Sequence, residues 1–423
     1  MPKYLKNKRR RRHNFFKKYI NNDIKMHSEY QESKKEKKTK NKKAYFKVLN
    51  GKKKSKTIRR IILLGTVFSV AISLLIISIF SPTGLSELYK NFSSTFSFKS
   101  YFPIELSGTE TYAVEVDDNY FYLLSDTDFS VISNNGKITL KDNHGFSNPV
   151  MSKSETRCLL YDQNGNGVKI YNANENLINK NMDNTIYSGD ISRNGTFAIA
   201  GKSDKFTSMV TVFDKNGDFL YEWFCPEENI FSVAVAPNGK SIAVATVKVL
   251  EGEFSSSIYI LKFDSADPIF SKKYDGQLII GINSFSKQNF AVVFENKCDI
   301  ISWKNYSSLL FESDYDINFI KSNKKHTIIA SSRENDDGNY KFSVYKGNKK
   351  LKTEFNFSGQ VDDFNIKSNK IFILSGNSVY LINSDGNIAK KGDCGFGIIK
   401  IVPISSDSCL VIGHNSIAKI TLQ

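Results

Sequence analysis

Phe231-Ser232-Val233-Ala234-Val235-Ala236-Pro237-Asn238-Gly239-Lys240-Ser241-Ile242-Ala243-Val244-Ala245 reads as two short apolar strands joined by a polar turn. Gly189-Asp190-Ile191-Ser192-Arg193-Asn194-Gly195-Thr196-Phe197-Ala198-Ile199-Ala200 repeats the pattern. A second recurring unit is a strand, a hairpin turn and a return strand, at Val131–Ile138, Val212–Leu220 and Tyr380–Ile388. Asn-Gly and Asp-Gly pairs in these turns supply the positive φ angles that a tight hairpin needs. With these landmarks aligned, first strands begin near Tyr112, Phe146, Ile186, Phe231, Leu278, Ile317, Val361 and Ile398, at intervals of 34, 40, 45, 47, 39, 44 and 37 residues. Such a period matches one four-stranded propeller blade. The reading is therefore all-β, an eight-bladed β-propeller, with seven blades as the alternative if one weak repeat is misread. The last unit, Ile398 to Gln423, has room for only three strands, and Pro103 to Ser107 has no partner of its own. The second is expected to complete the first and close the ring, which removes exposed sheet edges.

Upstream the character of the chain changes. Ile61 to Phe80, IILLGTVFSVAISLLIISIF, is twenty residues without a charge, long enough for a helix to cross a hydrocarbon core of about 30 Å. Residues 1–60 hold 24 Lys or Arg against Asp23, Glu29, Glu32 and Glu36, a net of +20, whereas the whole chain is +16. The excess positive charge thus belongs to one short segment. Positive residues flanking a span stay on the cytoplasmic side, so the N-terminus is expected inside and the C-terminal body outside. A cleavable signal peptide fits less well, because sixty residues precede the run and Ser78-Ile79-Phe80-Ser81-Pro82 is a poor cleavage site. The expected layout is a largely disordered basic tail at 1–60, a signal-anchor transmembrane helix at 61–81, a juxtamembrane stalk at 82–102 and an extracytoplasmic propeller at 103–423. In the tail, Arg9, Arg10, Arg11, Arg12, Phe15, Phe16, Lys52, Lys53, Lys54, Arg59 and Arg60 are the candidates for contact with an anionic inner leaflet. Nothing in the tail supplies base readout, so a specific nucleic-acid partner is not expected.

The segment Ala236-Pro237-Asn238-Gly239-Lys240-Ser241-Ile242-Ala243-Val244-Ala245 resembles the turn signature of WD40-like and quinoprotein-like bacterial propellers. Taken whole, basic head, single span and propeller resemble the membrane-anchored propeller proteins of unknown function of low-GC Gram-positive bacteria. The chain departs from those motifs in having no Trp-Asp blade ending and only Trp223 and Trp303. The tryptophan pattern of quinoprotein blades is missing, and no cofactor is carried over.

No catalytic constellation emerges. His144, His326 and His414 are scattered through the body, and no Gly-x-Ser-x-Gly, His-Glu-x-x-His or phosphate-cradling glycine loop occurs. Asp162-Gln163-Asn164-Gly165-Asn166-Gly167 looks like a calcium loop, but its twelfth residue is Ala173 where a bidentate Glu is needed, so a polar hairpin is expected. Cys158, Cys225, Cys298, Cys394 and Cys409 are odd in number and lack Cys-x-x-Cys spacing. Cys158 and Cys409 sit inside apolar strands, where a thiol behaves as a small buried hydrophobe, and at most one disulfide is expected. Propeller ligands gather on loops joining blades and on turns between second and third strands. The longest such turns are Lys248 to Ser257 and Arg333 to Tyr340, with Ser203 to Thr207 shorter. They offer Phe206, Glu251, Glu253, Phe254, Arg333, Glu334, Asp336 and Asp337 as a candidate ligand face.

The function expected from these readings is a non-enzymatic binding or scaffold module at the cell envelope, meeting another envelope protein or a wall glycan. The rivals are a propeller enzyme acting on a glycan or using a quinone, and an envelope sensor signalling through the basic tail. A binder needs only a surface, whereas an enzyme needs a convergent set of acids, bases or metals.

Overall fold

Eight four-stranded antiparallel sheets follow one another along the chain in the computed structural model. It describes residues 101–106, 111–117, 119–286, 289–302, 306–322, 326–333, 338–346, 350–383 and 385–423, all within the compact unit Ile77–Gln423. Among these residues no helix is long and apolar enough to cross a membrane. The run Ile61–Phe80, the basic tail with its proposed leaflet residues, and the stalk up to residue 100 lie outside the described residues.

Blades 1 to 7 span 111–143, 149–181, 186–225, 229–275, 281–312, 316–358 and 363–393, each in simple up-and-down order. Blade 8 takes three strands from 398–421 and its fourth from Ile104–Glu105, which pairs antiparallel with Ser416–Thr421 through Ile104 opposite Ile417. The ring therefore closes with the segment the sequence left unpaired. Ile104 enters a cluster with Phe121, Leu410, Ile412 and Ile417 that joins blade 8 to blade 1. First strands begin at Thr111, Pro149, Ile186, Asn229, Gly281, Asp316, Asp363 and Ile398, within three residues of the starts read from the sequence.

Burial follows position in the blade. Second strands are apolar and nearly continuous in burial, as at Tyr120–Ser125 and Ser408–Gly413, and so are third strands such as Lys297–Ser302, while outer strands such as Ile138–Asn143 alternate. A strand covered on both faces by neighbouring blades needs apolar side chains on both, and an outer strand needs them on one. Blade contacts recur in kind at the waist. The outer strand of one blade meets the third strand of the next through Tyr171 Oη donating to Asp142 Oδ2 at 2.7 Å, Tyr274 Oη donating to Asp299 Oδ2 at 3.0 Å, Trp223 against Tyr259 with centroids 5.2 Å apart, and Phe357 against Tyr380 at 5.3 Å. At least one aromatic at each of these four junctions supplies large buried area with a definite geometry.

The hairpin turns read from the sequence are tight, and their positive φ comes from the glycine. Among the described residues of 133–137, 214–218 and 383–387 only the glycine takes positive φ, at 91°, 89° and 87° for Gly136, Gly217 and Gly386. The strand before each turn carries a register shift, between Val131 and Ile132, Val212 and Phe213, and Leu381 and Ile382. These are glycine-bulge turns, in which the glycine supplies the left-handed residue. The same bonding recurs at the inner turns, where Gly195 N donates to Ser192 O at 3.0 Å and Gly239 N to Ala236 O at 2.7 Å.

Candidate functional site

Antiparallel order places the turns between second and third strands, and the loops joining blades, on one face of the ring. The chosen turns of blades 3, 4 and 6 all lie there. The blade 4 hairpin stands apart. Its strands Ser241–Leu250 and Glu253–Lys262 are ten residues each. The inner strand pairs only as far as Val247 and the outer strand only from Ser255, so Lys248 to Phe254 is a two-stranded tip beyond the blade. Its turn is a true two-residue one, Glu251 at φ 54° and Gly252 at 84°, the primed geometry whose twist suits a hairpin.

The tip is apolar and exposed, with Val249 69%, Leu250 63% and Phe254 42% accessible. Val249 and Phe254 face each other across the ladder. On one flank the blade 4–5 loop presents exposed Leu278 and Ile280 and is tied to the arm by Gly276 N donating to Phe254 O at 3.0 Å and Ile279 N to Ser256 Oγ at 3.2 Å. On the other, blade 3 presents exposed Phe206 and Phe224, whose centroids lie 5.1 Å apart. Carboxylates rim this ridge: Glu251 and Glu253 at the tip, Asp204 beside Phe206, and Glu227 and Asp275, paired with Lys248 and Lys273 at 2.6 Å each.

A half-buried carboxylate fixes the root of the arm. Glu228, in the blade 3–4 loop, accepts hydrogen bonds from Ser257 Oγ at 3.1 Å, Tyr259 Oη at 3.0 Å and Thr246 Oγ1, one or more from each hairpin strand. Burial, then the Glu228 charge, pushes the Tyr259 phenol up to about 12. The arm therefore projects from a rigid base, which limits the entropy lost when a partner binds.

The candidate residues separate. Phe206, Glu251, Glu253 and Phe254 come together on blades 3 and 4. Arg333 is two blades away and lies over Tyr315 at 4.9 Å, while Glu334, Asp336 and Asp337 lie outside the described residues. Val249, Leu250, Leu278 and Ile280 were missed, although four apolar residues beside polar turns were visible in the sequence. Phe396 was missed too. It is 91% accessible in the blade 7–8 loop between Gly395 and Gly397, both at positive φ, and an aromatic between two glycines was the available signal.

Several polar groups singled out in the sequence have structural partners. Asp162 accepts from Asn148 N at 2.7 Å, and Asn164 takes the left-handed conformation, so the glycine-rich stretch is a hairpin turn. His144 is buried, with Nε2 3.1 Å from Ser125 O and Nδ1 accepting from Phe146 N. The five cysteines carry free thiols, four of them buried. Burial pushes the Cys298 and Cys409 thiols up to about 12, which makes them unreactive at neutral pH. Among the described residues no three His, Cys, Asp or Glu gather where they could hold a metal ion.

The ring lumen is lined by first strands and opens on the opposite face into cavities of about 530 and 700 Å³. Asp190 of blade 3 bridges three blades there, accepting from Ser152 Oγ of blade 2 at 2.6 Å and from Val235 N of blade 4 at 2.7 Å. Desolvation raises its carboxyl to about 6 despite both bonds. Asp363 of blade 7 makes the equivalent link, accepting from Ile401 N of blade 8 at 3.0 Å and from Lys321 Nζ of blade 6 at 2.7 Å. Both are clamps between blades.

Solved propellers are similar in fold. A eukaryotic initiation factor matches with a TM-score of 0.51 at 11% identity, covering 78% of this chain and 91% of that one. BamB from Moraxella catarrhalis matches at 0.48 and 10% identity, covering 75% and 98%. At such identities the likeness concerns the fold alone. No curated protein matches the chain by sequence. A family model does match, over residues 89–422, which takes in every described blade; the chain belongs to DUF5711, a family of unknown function.

Proposed function

We propose that this chain is a membrane-anchored, extracytoplasmic binding module whose recognition surface is the apolar ridge of blades 3 to 5. The observation that carries the reading is the blade 4 arm: three large apolar side chains held in water on a rigid, two-stranded projection. Exposed apolar groups of that size cost solubility and mark interaction sites when they are contiguous. The carboxylate rim selects the partner's chemistry, an envelope protein segment whose apolar side chains are flanked by lysine or arginine. Charge complementarity of this kind sets specificity and association rate more than affinity. The placement outside the membrane rests on the charge asymmetry about Ile61–Phe80. The ridge asks only for a surface, so a non-enzymatic role is the simpler reading.

The test is binding of fluorescent peptides that carry two or three large apolar residues flanked by either Lys/Arg or Asp/Glu. The basic set is expected to bind, to weaken with salt, and to lose at least tenfold in affinity to Leu250→Asp. Equal binding of both sets, or binding that Leu250→Asp leaves unchanged, would count against the reading.

A further inference from the structure

The face opposite the ridge carries a different surface. Its turns join first to second and third to fourth strands, and the described chain begins on it. Tyr101 N donates to Asn135 O at 2.7 Å, and Tyr101 packs on the Gly136 turn of blade 1. The arc of turns from blade 6 through blade 1 presents lysines, Lys346, Lys352, Lys367 and Lys137, together with exposed Leu351, Ile388 and Ile138 at the starts of outer strands. Ile388 is 58% accessible. Blades 6 and 7 meet within this arc. Lys352 shares a crevice with Asn369 of blade 7, and Gly386 of blade 7 sits against Phe355 of blade 6.

We infer that this arc rests on an anionic phospholipid surface, lysines on the headgroups and apolar strand starts at the interface. Two observations argue for that occupant over a protein. The chain outside the described residues ends at Tyr101 on this very face, and its apolar run Ile61–Phe80 lies only twenty residues upstream. The described turns of this arc also carry Lys137, Lys346, Lys352, Lys367 and Lys370 against Asp117, Asp385 and Asp407, a cationic excess with scattered apolar tips. That composition binds anionic bilayers through charge and shallow insertion, and the arc lacks the projecting arm of the other face. A twenty-residue connection could span about 66 Å if extended, so the tether alone does not orient the ring. The lysine arc does, and it turns the blade 4 arm away from the bilayer. The inference rests on the anchored reading above.

The test is hydrogen exchange of the full chain in nanodiscs of phosphatidylglycerol or phosphatidylcholine. Peptides covering 350–353 and 388–391 are expected to exchange several-fold more slowly in phosphatidylglycerol. That protection should vanish at 0.5 M salt and in the triple variant Lys137→Glu, Lys346→Glu, Lys352→Glu, while the arm at 248–254 exchanges alike throughout. Equal exchange in the two lipids, or protection of the arm instead, overturns the inference. A chain that enters neither disc overturns the anchored reading alone. In that case protection of 350–353 and 388–391 by phosphatidylglycerol vesicles added from outside, lost in the triple variant, supports the surface, and vesicle binding that leaves these peptides unprotected, through the basic tail alone, overturns it.

Discussion

Asp190 ties blades 2, 3 and 4 together from the lumen wall, and its ionisation is opposed by the ring it holds. Its carboxyl rises from 3.8 to about 6, chiefly through desolvation, with the bonds from Ser152 and Val235 pulling the other way. At about 1.36 kcal/mol per unit, keeping it charged costs the folded state about 3 kcal/mol relative to the unfolded chain. A raised carboxyl means that the folded state holds the proton between about pH 4 and 6 and the unfolded state does not. The contribution is therefore fully present below pH 4, is lost as pH rises through 6, and is flat above. Asp190→Asn removes the titration while keeping the shape: its Oδ1 accepts from Val235 N, and its Nδ2 donates to Ser152 Oγ, whose hydroxyl can turn. Urea unfolding followed by tryptophan fluorescence at pH 4, 5, 6 and 7 measures the difference between variant and wild type. The variant is expected to gain about 3 kcal/mol on the wild type across that range. A difference that stays constant with pH, or that favours the wild type as pH rises, would refute the reasoning.

Three other perturbations test the ring and the arm. Gly386 has φ 87°, and an added Cβ would lie 2.5 Å from Phe355 Cβ, so Gly386→Ala should cost about 2 kcal/mol or more in urea unfolding; an unchanged midpoint would show that the blade 6–7 junction yields. Glu251 adopts a left-handed conformation that asparagine tolerates better, so Glu251→Asn should stabilise the tip by about 0.5–1 kcal/mol, seen as slower amide exchange at 248–254. Ile104 is buried where the ring closes, and Ile104→Asp should detach the closing strand, with proteolysis starting before Thr111 and exchange rising in Ser416–Thr421. Intact protection there would mean that closure does not depend on this strand.

The repeat was legible because each blade spends its local chemistry in the same order: apolar strand, glycine turn, apolar strand. The closing segment was legible for a negative reason, since Pro103–Ser107 had apolar residues and no neighbour. Strand starts drifted by up to three residues because first strands face a polar lumen and carry little alternation, as in Pro149–Lys153. The clamps were not legible. Ser152 and Val235 lie 38 and 45 residues from Asp190, and nothing local marks a carboxylate that meets its partners only when three blades align. Glu228 looked like any acidic loop residue, although its three hydroxyl donors come from strands 18 to 31 residues away. The arm was half-legible: its acids and Phe254 stood out as a turn, while Val249 and Leu250 passed as ordinary strand residues because the sequence does not show where the neighbouring strands stop.

Recognition of a protein by the blade 4 arm is a proposal that one experiment can decide. Photo-cross-linking in living cells tests it most directly, with a benzophenone side chain placed at Leu250, at Phe254 and, on the opposite face, at Ile388. Recognition at the ridge predicts one discrete protein adduct shared by positions 250 and 254 and absent from 388. A protein adduct from 388 alone, or none from either ridge position, would contradict it.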